Sequence, residues 1–186
     1  MTESSDRVRA FLALPIDEAS LAALGPALEG LRHRVERLRW VRPEGIHLTL
    51  RFLGDTAAAG LRSLEPSLRR AAEVCSPCEA RFGQLGVFPE RGAPRVLWLG
   101  LDVSRQVHDL RAACESAAVA AGFAPERRPF RSHLTLGRFR DGARRPDLPQ
   151  VDLDSTRLDR LVLFRSELGP GGAVYAPLAV FPLGGA

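Results

Sequence analysis

The tetrapeptide His47-Leu48-Thr49-Leu50 recurs unchanged as His133-Leu134-Thr135-Leu136, close to half a chain further on. Side chains alternate between the two faces of a β-strand, so the histidine and threonine of each copy share one face. The two leucines share the opposite face, which is suited to a hydrophobic core. If two lobes are related by an approximate two-fold axis, the two polar faces meet across a single cleft.

Two imidazoles and two hydroxyls without a neighbouring carboxylate favour acid–base chemistry at phosphorus. Imidazole has an ordinary pKa of about 6.5, so one ring can accept a proton while the other donates one. On opposite sides of a phosphorus atom they would support in-line displacement, with threonine hydroxyls donating to the nonbridging oxygens. A cyclic phosphodiester suits this chemistry because its leaving oxygen stays tethered. A zinc site would need three or four ligands, so we expect neither a metal nor another cofactor.

A single histidine on a half-buried strand is more often structural than catalytic. The duplication reverses this interpretation for His47 and His133. The two other histidines, His33 and His108, lie in predicted helices without a partner motif, and we interpret both as structural.

Hydrophobic periodicity predicts strands and helices that follow one another in two similar series. The order predicts an α+β fold with two similar halves rather than a parallel doubly wound sheet. Asp17 is the predicted N-cap of the first helix, and Gly122 is the predicted stop of the last. The predicted strands cover residues 8–14, 46–53, 80–87, 96–103, 132–139, 157–166 and 173–181, and the helices cover residues 17–38, 56–74 and 104–121.

The length of 186 residues, of which 45% are hydrophobic, suffices for one domain that folds without disulfides. We predict one two-lobed domain over residues 1–186, with one motif in each lobe. The three cysteines favour a reducing, cytoplasmic location, and the CxxC at 75–78 is interpreted as inert because it follows a helix. Glycines and prolines interrupt residues 168–186, so we expect no membrane anchor, and the apolar run near the start is too short for a signal peptide.

The chain carries a formal net charge of +4, and all 26 of its basic residues are arginine. Guanidinium groups bind phosphate oxygens in a bidentate manner, so an anionic partner is compatible with this composition. A general preference for arginine over lysine also explains the composition, and the net charge alone does not identify a nucleic-acid-binding protein. No glycine-rich phosphate loop is found, which argues against nucleoside triphosphate binding.

Segments along nearly the whole chain resemble one known family. They are RAFLALPID, PEGIHLTLRFLGD, PRVLWLGLD, PFRSHLTLGRF and LVLFRSELGPGGAVYAPLAVFPL. Together they are similar to the LigT-like branch of the two-histidine (2H) phosphoesterases, which contains the RNA 2′,3′-cyclic phosphodiesterases, also called bacterial 2′-5′ RNA ligases. The resemblance implies a bilobal α+β fold in which two antiparallel sheets flank a central groove and helices cover the outer faces.

The resemblance also implies an activity and a set of roles. It implies hydrolysis of a terminal 2′,3′-cyclic phosphate to a 2′-phosphomonoester, with His47 as proton donor and His133 as proton acceptor. Thr49 and Thr135 would bind the substrate phosphate. Attack by an RNA 5′-hydroxyl on the cyclic phosphate would form a 2′-5′ linkage, and by microscopic reversibility the opposite direction of the reaction exchanges the two proton-transfer roles.

Five further side chains are candidates near the site. By strict alternation Arg131 shares the polar face of the second motif, and we expect it to bind the substrate phosphate; Arg51 shares that of the first. Arg138 fits the family's basic residue after the second motif, but strict alternation places it on the opposite face. Phe88 and Tyr175 would either stack a base or pack in the core.

The sequence thus predicts a metal-independent enzyme that acts on RNA with a 2′,3′-cyclic phosphate end, as a monomer without a membrane partner. Two alternatives stay open. One is a non-catalytic RNA-end binding protein, and the other is the same chemistry on a small nucleotide cyclic phosphate.

Overall fold

The computed structural model describes residues 7–169 and 172–184. Residues 170 and 171, in the predicted connection between the last two strands, lie outside this part. The elements in chain order are β1 (Arg7–Pro15), α1 (Glu18–Arg32), β2 (Leu38–Trp40), a 3₁₀ turn (Pro43–Gly45), β3 (His47–Ala57), α2 (Ala58–Glu73), β4 (Cys78–Phe88), β5 (Val96–Asp102), α3 (Arg105–Ala120), β6 (His133–Phe139), β7 (Ser155–Leu158), β8 (Arg160–Gly169) and β9 (Gly172–Pro182).

The strands form one nine-stranded antiparallel sheet whose two halves meet at the two motif strands. One half has the order β3-β1-β8-β9 and the other has the order β6-β5-β4-β7, and β2 pairs with the C-terminal end of β6. A single pair, Leu48 with Leu134, joins β3 to β6. Each motif strand closes a β-α-β unit, β1-α1-β3 or β5-α3-β6, whose first strand is its neighbour in the sheet. The predicted α+β fold with two similar lobes is therefore confirmed.

The leucines of both motifs form the centre of the hydrophobic core. Leu48 and Leu134 are fully buried, and Leu50 and Leu136 are no more than 4% exposed. This burial confirms the apolar face that the alternation in each tetrapeptide predicts. None of the helices within residues 7–169 and 172–184 is both long and apolar enough to span a membrane.

Two predicted boundaries are wrong, and both errors have a tertiary cause. The first helix ends at Arg32 instead of continuing to Leu38, since Arg37 adopts a left-handed φ of 56° and the chain then enters β2. The predicted strand over residues 157–166 is two strands, because β7 pairs with β4 in one half of the sheet and β8 pairs with β1 and β9 in the other half. Partner strands far away in the sequence decide both changes.

Asp17 caps α1, as predicted, and also ties this helix to β7. Its carboxylate accepts hydrogen bonds from the Ser20 amide (2.8 Å), the Ser20 hydroxyl (2.8 Å), the Thr156 hydroxyl (3.0 Å) and the Arg157 amide (2.8 Å). Burial raises the pKa of Asp17, but the hydrogen bonds from Ser20 and Arg157 outweigh it and bring the pKa well below the ordinary value.

We expect Asp17→Ala to lower the free energy of unfolding by about 2 kcal/mol, because the cap is lost and the buried Thr156 hydroxyl loses its acceptor. Asp17→Asn, which retains an acceptor, should cost less. Urea titration at pH 7 measures both values. Since the folded pKa lies below the unfolded one, the carboxylate stabilises the fold above about pH 4 and this contribution fades as the pH falls. Equal stability of Asp17→Ala and the unmodified protein would contradict the assigned role.

Candidate active site

The Leu48–Leu134 pair brings the two tetrapeptides side by side. In an antiparallel pair centred on these leucines, His47 lies beside Thr135 and Thr49 lies beside His133. Both leucines point to the core, so all four polar side chains point to the other face. In regular sheet geometry the two histidines would be diagonal neighbours with Cα atoms about 7–8 Å apart. Burial lowers the pKa of His47, and the positive charge of the neighbouring His133 lowers it further.

Each imidazole is held by the backbone carbonyl two residues before it. The Nδ1 atom of His133 donates to the carbonyl oxygen of Arg131 at 2.6 Å, and the Gly45 carbonyl makes the corresponding bond with the ring of His47. The Nε2 atom of His47 lies 3.1 Å from the Thr49 hydroxyl. A carbonyl acceptor at Nδ1 fixes the neutral tautomer of His133 and leaves Nε2 as the nitrogen that can exchange a proton.

Aromatic rings orient both histidines. His47 stacks on Phe11 with ring centroids 4.8 Å apart and meets the edge of Tyr175 at 5.2 Å. His133 meets Phe88 edge-on at 5.2 Å. Phe88 and Tyr175, left open by the sequence, therefore both contact a motif histidine. Phe11 was missed because the pairing of β1 with β3, which places it there, has no local sequence signal.

Burial and nearby positive charges lower the pKa of both imidazoles. Burial lowers the pKa of His47 to about 4, against the opposing effect of the Gly45 carbonyl, and the charge of His133 lowers it further. Burial also lowers the pKa of His133, and the charges of Arg131 and Arg138 act in the same direction. An anion between the rings would raise both values, because it stabilises the protonated forms.

A β-bulge follows the threonine of each motif. Leu12 and Ala13 pair with Arg51 and Thr49, which leaves Leu50 unpaired in β3. The same shift leaves Leu136 unpaired in β6. A bulge resets the alternation of side chains, so strict alternation fails after the fourth residue of both motifs, where Arg51 and Gly137 are buried like the leucines before them. The two lobes therefore share the irregularity as well as the tetrapeptide.

Because of the first bulge, the expectation that Arg51 shares the polar face with the motif is wrong. Its side chain is 6% exposed and forms an ion pair with Glu115 of α3, with 2.6 Å between Nε and the carboxylate. It also donates to the carbonyls of Phe52 and Ala124. Arg51 is a structural residue that connects β3 to α3 and to the segment that follows this helix.

The second bulge resolves the conflict over Arg138. It returns this arginine to the face that carries His133 and Thr135, where its charge acts on His133 and its side chain lines the cavity. The corresponding residue of the first motif, Phe52, lines the same cavity.

Arg131 contacts protein groups outside the cavity. Its guanidinium pairs with Glu90 at 2.5 Å and lies over the ring of Phe88, 5.6 Å from the centroid. It is not among the residues that line the cavity, so its binding of the substrate phosphate stays a prediction.

The cavity beside the motifs has a volume of about 450 Å³ and is rich in cationic side chains. Its lining includes His47, Thr49 and Thr135, while His133 lies beside it rather than among its lining residues. Sequence reasoning missed four of its arginines, which come from separate segments. The cavity's arginines are Arg9, Arg39, Arg42, Arg128 and Arg138.

Known proteins resemble the chain over nearly its whole length. The RNA 2′,3′-cyclic phosphodiesterase of Methanothermobacter thermautotrophicus is 34% identical over 184 residues, which cover 95% of this chain and 100% of that protein. The protein of the same name from Thermus thermophilus is 33% identical over 184 residues, which cover 96% of this chain and 91% of that protein. The crystal structure of TT0787 of Thermus thermophilus superposes with a TM-score of 0.80 at 32% identity. The match covers 95% of this chain and 98% of that one.

The structure of Escherichia coli LigT complexed with 3′-AMP superposes with a TM-score of 0.82 at 24% identity, covering 96% of this chain and 99% of that one. At this identity the similarity supports the fold alone. The family described as LigT like phosphoesterase matches residues 14–98 and 100–175. Both tetrapeptides lie within these matched ranges. The chain therefore belongs to the LigT-like phosphoesterase family.

Proposed function

We propose that the protein is an RNA 2′,3′-cyclic phosphodiesterase that hydrolyses a terminal 2′,3′-cyclic phosphate to a 2′-phosphomonoester. The observation that carries this proposal is the Leu48–Leu134 pair, which sets the polar faces of both motifs side by side next to an arginine-lined cavity. The names of the similar proteins support the same activity. We also propose that residues 1–186 act as one two-lobed domain, monomeric and cytoplasmic, as the sequence predicts.

In the proposed reaction, His133 accepts a proton from the attacking water through Nε2. The water oxygen forms a bond to phosphorus, and the bond from phosphorus to the 3′-oxygen breaks. His47 donates its proton to this leaving oxygen, which becomes the 3′-hydroxyl. Thr49 and Thr135 donate hydrogen bonds to the nonbridging oxygens, where negative charge increases in the transition state. An RNA 5′-hydroxyl in place of the attacking water would form a 2′-5′ linkage with the same two roles, His133 accepting its proton and His47 protonating the 3′-oxygen. The roles are exchanged only in the opposite direction, when a 2′-5′ linkage is cleaved to the cyclic phosphate.

The low pKa of His47 makes substrate binding part of this mechanism. With a pKa of about 4, His47 is almost fully neutral at pH 7 and is a poor proton donor in the free protein. The anionic cyclic phosphate raises the pKa of both rings when it enters the site. Protonation of the donor is thereby coupled to the presence of the substrate.

We expect a bell-shaped pH dependence whose position differs between kcat/KM and kcat. The kcat/KM profile reports the free protein, so its centre should lie below about pH 6.5, the ordinary value for histidine. The kcat profile reports the complex and should lie at higher pH.

The rates are measured with a 2′,3′-cyclic phosphate substrate, and ³¹P NMR identifies the product. Activity should persist in a chelator. A 3′-phosphomonoester product, or loss of activity in the chelator, would contradict the proposal.

A non-catalytic RNA-end binding protein is the second candidate, and the arginine-rich cavity favours it as well. The enzyme is the better supported candidate, because the Arg131 carbonyl holds the Nδ1 atom of His133 and leaves its Nε2 atom for proton transfer. Salt-sensitive binding of RNA ends without product formation would favour this candidate over the enzyme.

A further inference from the structure

A second cavity adjoins the first at the far end of β6. Its volume is about 470 Å³, and it shares Arg39 and Arg138 with the cavity beside the motifs. Arg95 and Arg140 add two more guanidinium groups, and Asp141 is the one acidic residue among its lining residues. Part of its wall is the start of the basic, proline-containing segment at 140–150, to which the mechanism assigns no role.

Two of these arginines face one another across neighbouring strands. Arg39 of β2 and Arg138 of β6 are directly paired in the antiparallel register, so their side chains leave the same face of the sheet. Like charges at directly opposed positions destabilise a sheet. Within residues 7–169 and 172–184, none of the four arginines forms an ion pair with a carboxylate. A bound anion would relieve this repulsion and accept charge-assisted hydrogen bonds.

The cationic side chains follow β6 away from the motif. The Cα atom of Arg138 lies about 10 Å along the strand from that of Thr135, and Arg140 lies two residues further. The Phe139 amide donates to the carbonyl of Arg95 at 2.9 Å, which places Arg95 beside this end of β6. The two cavities therefore adjoin at Arg39 and Arg138, with Thr135 in the lining of the first and Arg95 and Arg140 in the lining of the second.

We propose that the second cavity binds the phosphodiester that precedes the terminal cyclic phosphate, so that the protein selects the end of an RNA chain over a cyclic mononucleotide. This inference rests on the proposed function. A cyclic mononucleotide has one phosphate, which the motif residues would hold, and it leaves the second cavity empty. An oligonucleotide has successive phosphates, and the four guanidinium groups of the second cavity, which have no paired carboxylates among the described residues, match that charge pattern.

The test is the double variant Arg95→Gln/Arg140→Gln, which removes two exposed charges unique to the second cavity. Binding is measured by calorimetry with a trinucleotide that ends in a 2′-phosphate and with the corresponding 2′-mononucleotide. We expect the affinity for the trinucleotide, relative to the mononucleotide, to fall by about tenfold to a hundredfold. The salt dependence of trinucleotide binding should weaken by about one unit of slope for each phosphate contact that is lost.

Arg62→Gln/Arg70→Gln is the matched control, because it removes the same charge from the exposed surface of α2 and should leave both affinities unchanged. Thermal unfolding checks that both variants are folded. An unchanged affinity ratio in Arg95→Gln/Arg140→Gln, or equal affinities for the two ligands in the unmodified protein, would overturn the inference. If the unmodified protein prefers the trinucleotide but hydrolyses no cyclic phosphate, the second cavity is supported and the proposed function fails.

Discussion

Replacement of either motif histidine by alanine is expected to lower kcat for a 2′,3′-cyclic phosphate by about 10²- to 10⁴-fold, the usual contribution of one general acid or base. In the proposed mechanism both rings act in the same displacement step, on the two sides of phosphorus. The His47→Ala/His133→Ala double variant should therefore lose less than the product of the two single losses. Steady-state rates at the pH optimum of each variant measure these effects.

The structure offers a control of matched chemistry for these variants. His33 is exposed and lies near Glu29 at the end of α1, so His33→Ala should keep the full kcat. Because the motif imidazoles pack on aromatic rings, a circular dichroism spectrum should accompany each rate to show that the variant is folded. A folded His47→Ala or His133→Ala variant with near-normal activity would rule out the two-histidine mechanism.

The duplicated tetrapeptide was sufficient to predict the centre of the molecule. Its two-residue alternation indicated which side chains are buried, and its repetition indicated that two strands bring their polar faces together. Both conclusions depend on local periodicity and on the two-fold relation of the lobes, which are properties that a single sequence contains.

Prediction of side-chain faces from strict alternation fails at the bulges at Leu50 and Leu136. A bulge depends on the register with the neighbouring strand, β1 or β5, and the sequence of the motif strand alone does not specify that register. Without the bulges, strict alternation assigns two arginines to the wrong faces of their strands. Arg51 was placed in the cleft and is buried, whereas Arg138 was placed on the opposite face and lines the cavity.

The other cavity arginines were missed for a different reason. Since every basic residue of this chain is arginine, the residue type does not distinguish a ligand of phosphate from an ordinary surface charge. Arg39 becomes informative only when the pairing of β2 with β6 places it opposite Arg138. The pairing of β2 is also the reason that the first helix ends earlier than its periodicity predicts.

Arg51→Met is expected to lower the free energy of unfolding by about 3 kcal/mol, near the low end of the range for breaking a buried ion pair. The substitution leaves Glu115 without its 2.6 Å partner and removes the donor from the carbonyls of Phe52 and Ala124. Arg111, 3.9 Å from Glu115, retains part of the compensating charge, and this keeps the loss small. Urea titration gives the value, and the exposed Arg34→Met serves as the control.

The same variant separates a structural role for Arg51 from phosphate binding. If Arg51 only joins β3 to α3, the folded fraction of Arg51→Met keeps its KM for the cyclic phosphate. Adding Glu115→Leu to this variant should then recover part of the lost stability, because Glu115 no longer leaves a buried carboxylate without its partner. A ligand of phosphate would behave in the opposite way. A raised KM with unchanged stability would show that Arg51 reaches the substrate and that the bulge does not turn it inward.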